Sequence, residues 1–209
     1  MGVDTYNVTI NNRSADDWFI VFTWAPQTPS EDFQHLAWRA PHSQGNRSGG
    51  DTQTFSFSTT YQAALSQKYL GIGDLYQDIT TRDAKLKDNF SISYDKDNSQ
   101  FDIGDGVTSS SLPVNAISFT NKTSDTDFAV GIGVNGQAAQ MAKPRANTSS
   151  VFYTDLLLYC SLASSRTKLS QVLSFAYFQD ARSINISNMV GRNININIKP
   201  DNIWTIDAK

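Results

Sequence analysis

Two histidines, one cysteine and scattered aspartates are the side chains of this sequence best suited to acid–base, nucleophilic or metal chemistry. His35 and His42 flank the run Leu36-Ala-Trp38-Arg39-Ala-Pro41. Histidine titrates near neutrality without help, so either ring could shuttle a proton. Their spacing is not that of a compact metal motif, and no His-Glu-x-x-His pair occurs. Two arrangements fit them. One is a polar cluster of His35, Trp38, Arg39 and His42 under a long loop. The other is a tryptophan plug in the core with His and Arg at its rim. No Gly-x-Ser-x-Gly turn is present to raise a serine nucleophile. Cys160 ends the run Leu156-Leu-Leu-Tyr-Cys160, where a thiol behaves as a small buried hydrophobe.

The aspartates admit two readings. Asp95, Asp97, Asp102 and Asp105 could offer calcium its hard oxygen ligands, but their spacing is not an EF-hand's and aspartate also serves chain reversal. Asp16-Asp17 beside Trp18 has the make-up of a sugar platform, and equally of an Asx turn before a core tryptophan. No metal and no cofactor is expected. Gly131 and Gly133 share one face of a strand running Phe128 to Val134, with Phe128, Val130, Ile132 and Val134 on the other. A bare glycine face lets something large approach the backbone, either an aromatic side chain from a neighbouring segment or a ligand ring. The segment Asn135 to Asn147 reads as a loop. Its Lys143 and Arg145 could meet a carboxylate or phosphate on a small ligand.

The elements that must position these residues are strands. Tyr6, Val8 and Ile10 alternate with polar residues, and Trp18 to Trp24 is apolar on both faces. These two are expected to pair as an N-terminal hairpin. A long connection from Gln27 to Asp51 follows, either holding a short strand at Leu36–Arg39 or covering a site. Further strands are expected at 52–61, at 90–94 with 101–103 as a hairpin turning at Asp95-Lys-Asp-Asn98, and at 114–120, 127–134, 156–160 and 172–178. The last are at 184–186, 193–198 and 203–206. Ala63 to Tyr69 reads as a short helical turn or an irregular strand. In Asn193-Ile-Asn-Ile-Asn-Ile198 the isoleucines belong to the core face, and as an open edge this strand could pair with another subunit. No repeat of fixed period is evident.

Composition agrees. Of 209 residues, 24 are Ser, 18 Thr and 16 Asn, while charged residues make up only 18%. That balance disfavours surface helices and favours strands and turns. The expected fold is all-β: one antiparallel β-sandwich over 1–209, jelly-roll-like, with a barrel as the alternative. A net charge of −3 argues against a bulk nucleic-acid binder. The first residues show no basic segment followed by an apolar run, which makes a cytoplasmic location the expectation.

The order of features resembles a known family. Tyr6-Asn-Val-Thr-Ile-Asn-Asn-Arg-Ser14 leads into an aromatic strand, Gln27-Thr-Pro29 and Leu36-Ala-Trp38. Phe128-Ala-Val-Gly-Ile-Gly-Val-Asn-Gly136, Ala146-Asn147 and Phe152 follow. Together these are similar to the RhiA-like proteins, over most of residues 6–160. The resemblance implies a soluble, mostly β protein. The family has no settled activity, so the likeness transfers no catalytic residue and no cofactor.

Three functions follow as expectations. The first is a non-catalytic, lectin-like ligand-binding domain for a small molecule or glycan, with His35, Trp38, Arg39, His42, Gly131, Gly133, Lys143 and Arg145 as ligand-binding candidates. The second is a cofactor-free enzyme acting on a small hydrophobic substrate, with His35 or His42 as acid/base. The third is a lipid-binding or pore-forming protein. A membrane surface ranks below the small ligand as partner, because the aromatics lie within alternating strands, where they serve a core. Homo-oligomerisation is compatible with open strand edges.

Overall fold

The computed structural model describes residues 4–26, 32–45 and 50–209. The Gln27-Thr-Pro29 and 46–49 parts of the long connection lie outside them. The first half carries β1 (Thr5–Asn12), β2 (Trp18–Ala25), β3 (Gln34–His35), β4 (His42–Ser43), β5 (Asp51–Ser58), β6 (Tyr61–Ser66), β7 (Ile79–Ala84), β8 (Asp88–Asp95), β9 (Gln100–Ile103) and β10 (Val107–Thr108). The second carries β11 (Ala116–Asn121), β12 (Ala129–Val134), β13 (Gln137–Ala142), β14 (Ser149–Tyr153), β15 (Leu157–Ala163), β16 (Arg182–Ile184), β17 (Asn193–Ile198) and β18 (Trp204–Ala208). One short helix, α1 (Tyr177–Asp180), and a 3-10 turn at Ile186–Asn188 interrupt them.

The protein is all-β, and its strands form four open sheets around a shared core, a sandwich-like arrangement rather than a barrel. The sheet orders are β18-β17-β1-β5, β10-β8-β11-β14 with β9 also on β8, β3-β13-β12-β6-β7, and β16-β15-β2-β4. Alternation explains the half-covered strands: Val8, Ile10, Ile194, Ile196 and Ile198 are buried on one face. β2 is covered on both faces, and Ile20 to Ala25 are all buried. The expected hairpin of β8 and β9 forms, with Ile92 opposite Ile103 and Tyr94 opposite Phe101. Asp95 closes its turn by accepting from the Asp97 N–H at 2.9 Å and from the Asn98 amide at 2.7 Å, so it acts as a turn residue.

Several expectations are corrected. β1 and β2 are not a hairpin. β1 lies between β17 and β5, and β2 between β15 and β4, because the turn after Asn12 carries the chain from one sheet to another. β17 is not an open edge, since β1 and β18 flank it. Residues 137–142 are a strand, not a loop. The signal was Asn135-Gly136, both with positive φ (51° and 79°), the pair that a tight hairpin turn requires. Residues 61–66 are a regular strand. The segment 172–178 is no strand: after Val172 bridges to Leu36, turn bonds from Tyr177 N to Ser174 O and from Phe178 N to Phe175 O wind it into α1. The pairs β1·β17 and β11·β8 run parallel, which departs from an antiparallel jelly roll.

The two halves repeat one plan. Asn12 is fully buried and its Nδ2 donates to the Asp16 carbonyl at 3.0 Å, while its Oδ1 accepts from Ser14 N and Oγ. Asn121, also buried, donates to the Asp125 carbonyl at 2.8 Å and accepts from Thr123 N and Oγ1. The next residues, Arg13 and Lys122, each donate a backbone N–H to a parallel neighbour, Ile198 and Ile92 respectively. β1 and β11 each take an antiparallel partner from their own half, β5 and β14, and a parallel partner from the other half, β17 and β8. β2 and β12 likewise pair across halves, with β15 and β6. The chain is thus a duplicated unit whose copies exchange strands. The spacing between equivalent positions drifts because the first copy has a longer connection between its second strand and β5, which hides the repeat from a search for a fixed period.

Candidate functional site

The strand exchange brings two equivalent strand ends to one place. Ala25 at the end of β2 pairs with Leu157, and Val134 at the end of β12 pairs with Tyr61. Beside these ends lies a cavity of about 420 Å³, walled by Tyr6, Trp24, Tyr61, Val134, Thr154 and Leu156 together with the segment 186–192. The second copy supplies that segment. Its connection from β16 to β17 runs over 185–192, where the first copy joins β7 to β8 through 85–87.

The aromatic wall is held rigidly. Trp24 meets Trp38 and Phe57 edge to face, at 5.4 and 5.7 Å between ring centroids, and Tyr6 stacks on Phe57 at 5.4 Å. Tyr61 donates to the Thr154 carbonyl at 3.0 Å, and burial raises its pKa, so it stays a neutral phenol. Trp24 is 2% exposed, and its indole N–H has no acceptor among the described residues. A buried donor left unpaired costs roughly 1–3 kcal/mol, which marks this position out. Asp4 and Arg192, the charged wall residues, are hydrogen-bonded to each other. The rest of the polar lining is hydroxyl: Thr59, Thr154, Ser187 and the tyrosines. Such a cavity can seat a neutral ring and offer it hydrogen bonds. It gathers no acid–base pair.

The residues singled out from sequence lie elsewhere, except that Trp38 supports the wall. Trp38 is the core plug: it is fully buried and donates to the Val134 carbonyl at 2.8 Å. Arg39 lies over its ring at 4.8 Å. The two histidines do not join them in one polar cluster. His35 is buried, with Nδ1 at 3.5 Å from Gln140 Nε2 and its ring edge-on to Phe178. His42 is at the surface, stacked on Phe19 and 3.6 Å from Asp17. The reason is that residues 34–43 run extended. Leu36 bonds to Ala139, Trp38 to Phe22, and His42 pairs with Phe19, which spreads the four side chains along the strand.

The glycine face is closed by the protein's own backbone rather than by an aromatic ring or a ligand. A Cβ at Gly131 would lie 1.8 Å from the Gln140 carbonyl oxygen, and one at Gly133 would lie 2.9 Å from that of Gln137. The β12–β13 register shifts between Ile132 and Gly133, and the glycines admit this close crossing. Lys143 and Arg145 do come to one surface cavity of about 480 Å³ with Thr148, Ser149 and Ser150, but Asp32 shares it and Lys143 already faces Asp127 at 3.7 Å. Among the described residues no group of three or more His, Cys, Asp or Glu side chains could hold a metal ion.

Asp16 and Asp17 are engaged by Asn202 and Gly45, and Trp18 Nε1 donates to Ser14 Oγ, so this trio serves the turn. Cys160 is fully buried, and burial pushes its thiol pKa up. Sequence reasoning missed the cavity itself, because Trp24 read as one more core aromatic and 184–186 as a strand, whereas the strand ends at Ile184 and Ile186–Asn188 is a 3-10 turn.

Fold and cavity together define a class: a strand-exchanged, duplicated all-β protein with an aromatic-walled, hydroxyl-lined cavity where its copies meet. The chain matches the RhiA family over residues 3–209 and belongs to it. The match extends well past residue 160, so the C-terminal third, which supplies half of the cavity wall, is part of the family pattern. No curated protein and no solved structure matches the chain. Among the described residues no helix is long and apolar enough to cross a membrane.

Proposed function

We propose that the protein is a non-catalytic binding module for a small polar molecule of the glycan class, held in the cavity beside Trp24. The observation that carries this reading is the buried Trp24 N–H, without an acceptor among the described residues, in a wall that also holds two tyrosine rings and several hydroxyls. A ligand oxygen that reaches it by displacing neighbouring wall atoms would satisfy it, while the ring faces would pack against the apolar side of a sugar. Native mass spectrometry of gently purified protein, beside its denatured mass, tests this. The expected result is a defined adduct that is lost on denaturation and much reduced in Trp24→Phe, which keeps an aromatic ring and removes the donor. A clean unliganded mass, together with no retention on a glycan array, rejects the reading.

A second reading is supported by one observation. His35 is 3% exposed and lines a separate cavity of about 300 Å³ with Phe33, Tyr69, Ile72, Leu173 and Phe175. As an acid/base there it would serve a cofactor-free enzyme on a small hydrophobic substrate. On a panel of aryl esters this reading expects turnover that His35→Ala abolishes while the far-UV spectrum is unchanged. Absence of turnover in the parent protein removes it.

A further inference from the structure

The Trp24 cavity does not end at its own wall. Met189, Val190 and Gly191 also line a second cavity, of about 720 Å³, on the far side of the same segment. Val190, at the crest between the two, is fully exposed. The outer cavity is lined with amide and guanidinium donors, notably Asn188 and Arg182. Arg182 is held 4.5 Å over the Trp204 ring, which fixes the direction of its fork. Both cavities border 185–192, the stretch by which the second copy exceeds the first.

Resting on the reading of the inner cavity as a glycan site, we propose that the ligand is a chain of sugar units, not a single sugar. One unit seats against Trp24, Tyr6 and Tyr61, and the following units cross beside Val190 into the outer cavity to meet Asn188 and Arg182. The chemistry on each side supports this. The inner wall offers flat rings and hydroxyls, with its one charged pair, Asp4 and Arg192, neutralised internally. The outer wall offers hydrogen-bond donors to the ring hydroxyls, or to the carboxylates of an acidic glycan. The combined space suits two or more linked rings, whereas a single ring would leave the outer donors unused.

The test uses the full chain and oligosaccharide ladders of one to six units from a neutral series (cello- and chito-oligosaccharides) and an acidic one (oligouronates), measured by titration calorimetry. Affinity is expected to rise at least tenfold between one unit and three in one of the series. That gain should shrink in Arg182→Ala and Asn188→Ala. Their folding is checked by an unchanged thermal midpoint, and Val190→Trp, a surface change that fills the crossing, provides a second block. Equal affinity for one unit and for three overturns the extended-ligand proposal and leaves the inner site standing. So does a length gain untouched by all three variants. Failure of every ladder to bind overturns both.

Discussion

Single residues in this protein divide into those whose buried polar atoms are satisfied and those, such as Trp24, that bury a donor with no acceptor among the described residues. Tyr76 is of the first kind. Its hydroxyl donates to Gln34 Oε1 at 2.6 Å and accepts from the Leu70 N–H at 3.1 Å, and burial pushes its pKa up to about 12 from an ordinary 10.0. The folded state therefore holds this proton more tightly than the unfolded chain does. The Tyr76 contribution to stability is complete below pH 10.0 and is lost as pH rises from there to about 12. Phenolate absorbance in an alkaline titration should show the buried tyrosines, Tyr76 with Tyr61, Tyr159 and Tyr177, lagging the exposed ones, and Tyr76→Phe should reduce the lagging amplitude by one residue. Trp24 is of the second kind, and its unpaired donor is why the cavity beside it stands out. Sequence could show that Trp24 is apolar and flanked by apolar residues. It could not show that its N–H lacks an acceptor, since Trp38, its neighbour in space, does find one in Val134.

Among elements, the turns that follow β1 and β11 matter most. Each is organised by one buried asparagine that holds both backbone and hydroxyl groups. Asn12→Ala would remove a donor from the carbonyls of Asp16, Ser43 and Gln44 and the acceptor of the Ser14 N–H, leaving the Asp16 carbonyl only the Ser14 hydroxyl. Asn121→Ala would strip one of two donors from each of the carbonyls of Asp125 and Arg145 and remove the acceptor of the Thr123 N–H. Each substitution is expected to cost at least about 2 kcal/mol, read from a shift in the urea midpoint at unchanged slope. A shift below a few tenths in both would show that these turns do not organise the fold. The pattern was present in the chain as Asn12-Arg-Ser-Ala-Asp16-Asp-Trp-Phe19 beside Asn121-Lys-Thr-Ser-Asp125-Thr-Asp-Phe128, identical in spacing. Strand identity was similarly legible from alternation, as in β1, β8 and β17. Pairing was not. Alternation says which face of a strand is buried and is silent on which strand lies beside it, so β1 and β2 read as a hairpin although their partners come from far along the chain.

At the scale of the whole molecule, strand exchange ties the copies together. The first strand of each lies against a strand of the other, and one core cluster runs from Tyr6 to Ile198. Unfolding is accordingly expected as a single cooperative transition, with far-UV circular dichroism and tryptophan fluorescence superimposing. Two separated transitions would show that the copies are independent. By itself the sequence determined the all-β class, the core faces, the β8–β9 turn and the likeness to RhiA proteins, because period, turn chemistry and local motifs act over a few residues. Only the tertiary structure decided that the candidate histidines lie apart, that Gln140 and Gln137 carbonyls close the glycine face, and that Trp24, Tyr61, Thr154 and residues 186–192 share a cavity. Those are contacts between segments distant in the chain. Their geometry depends on which strands exchange and how long each connection is, and no local pattern encodes that.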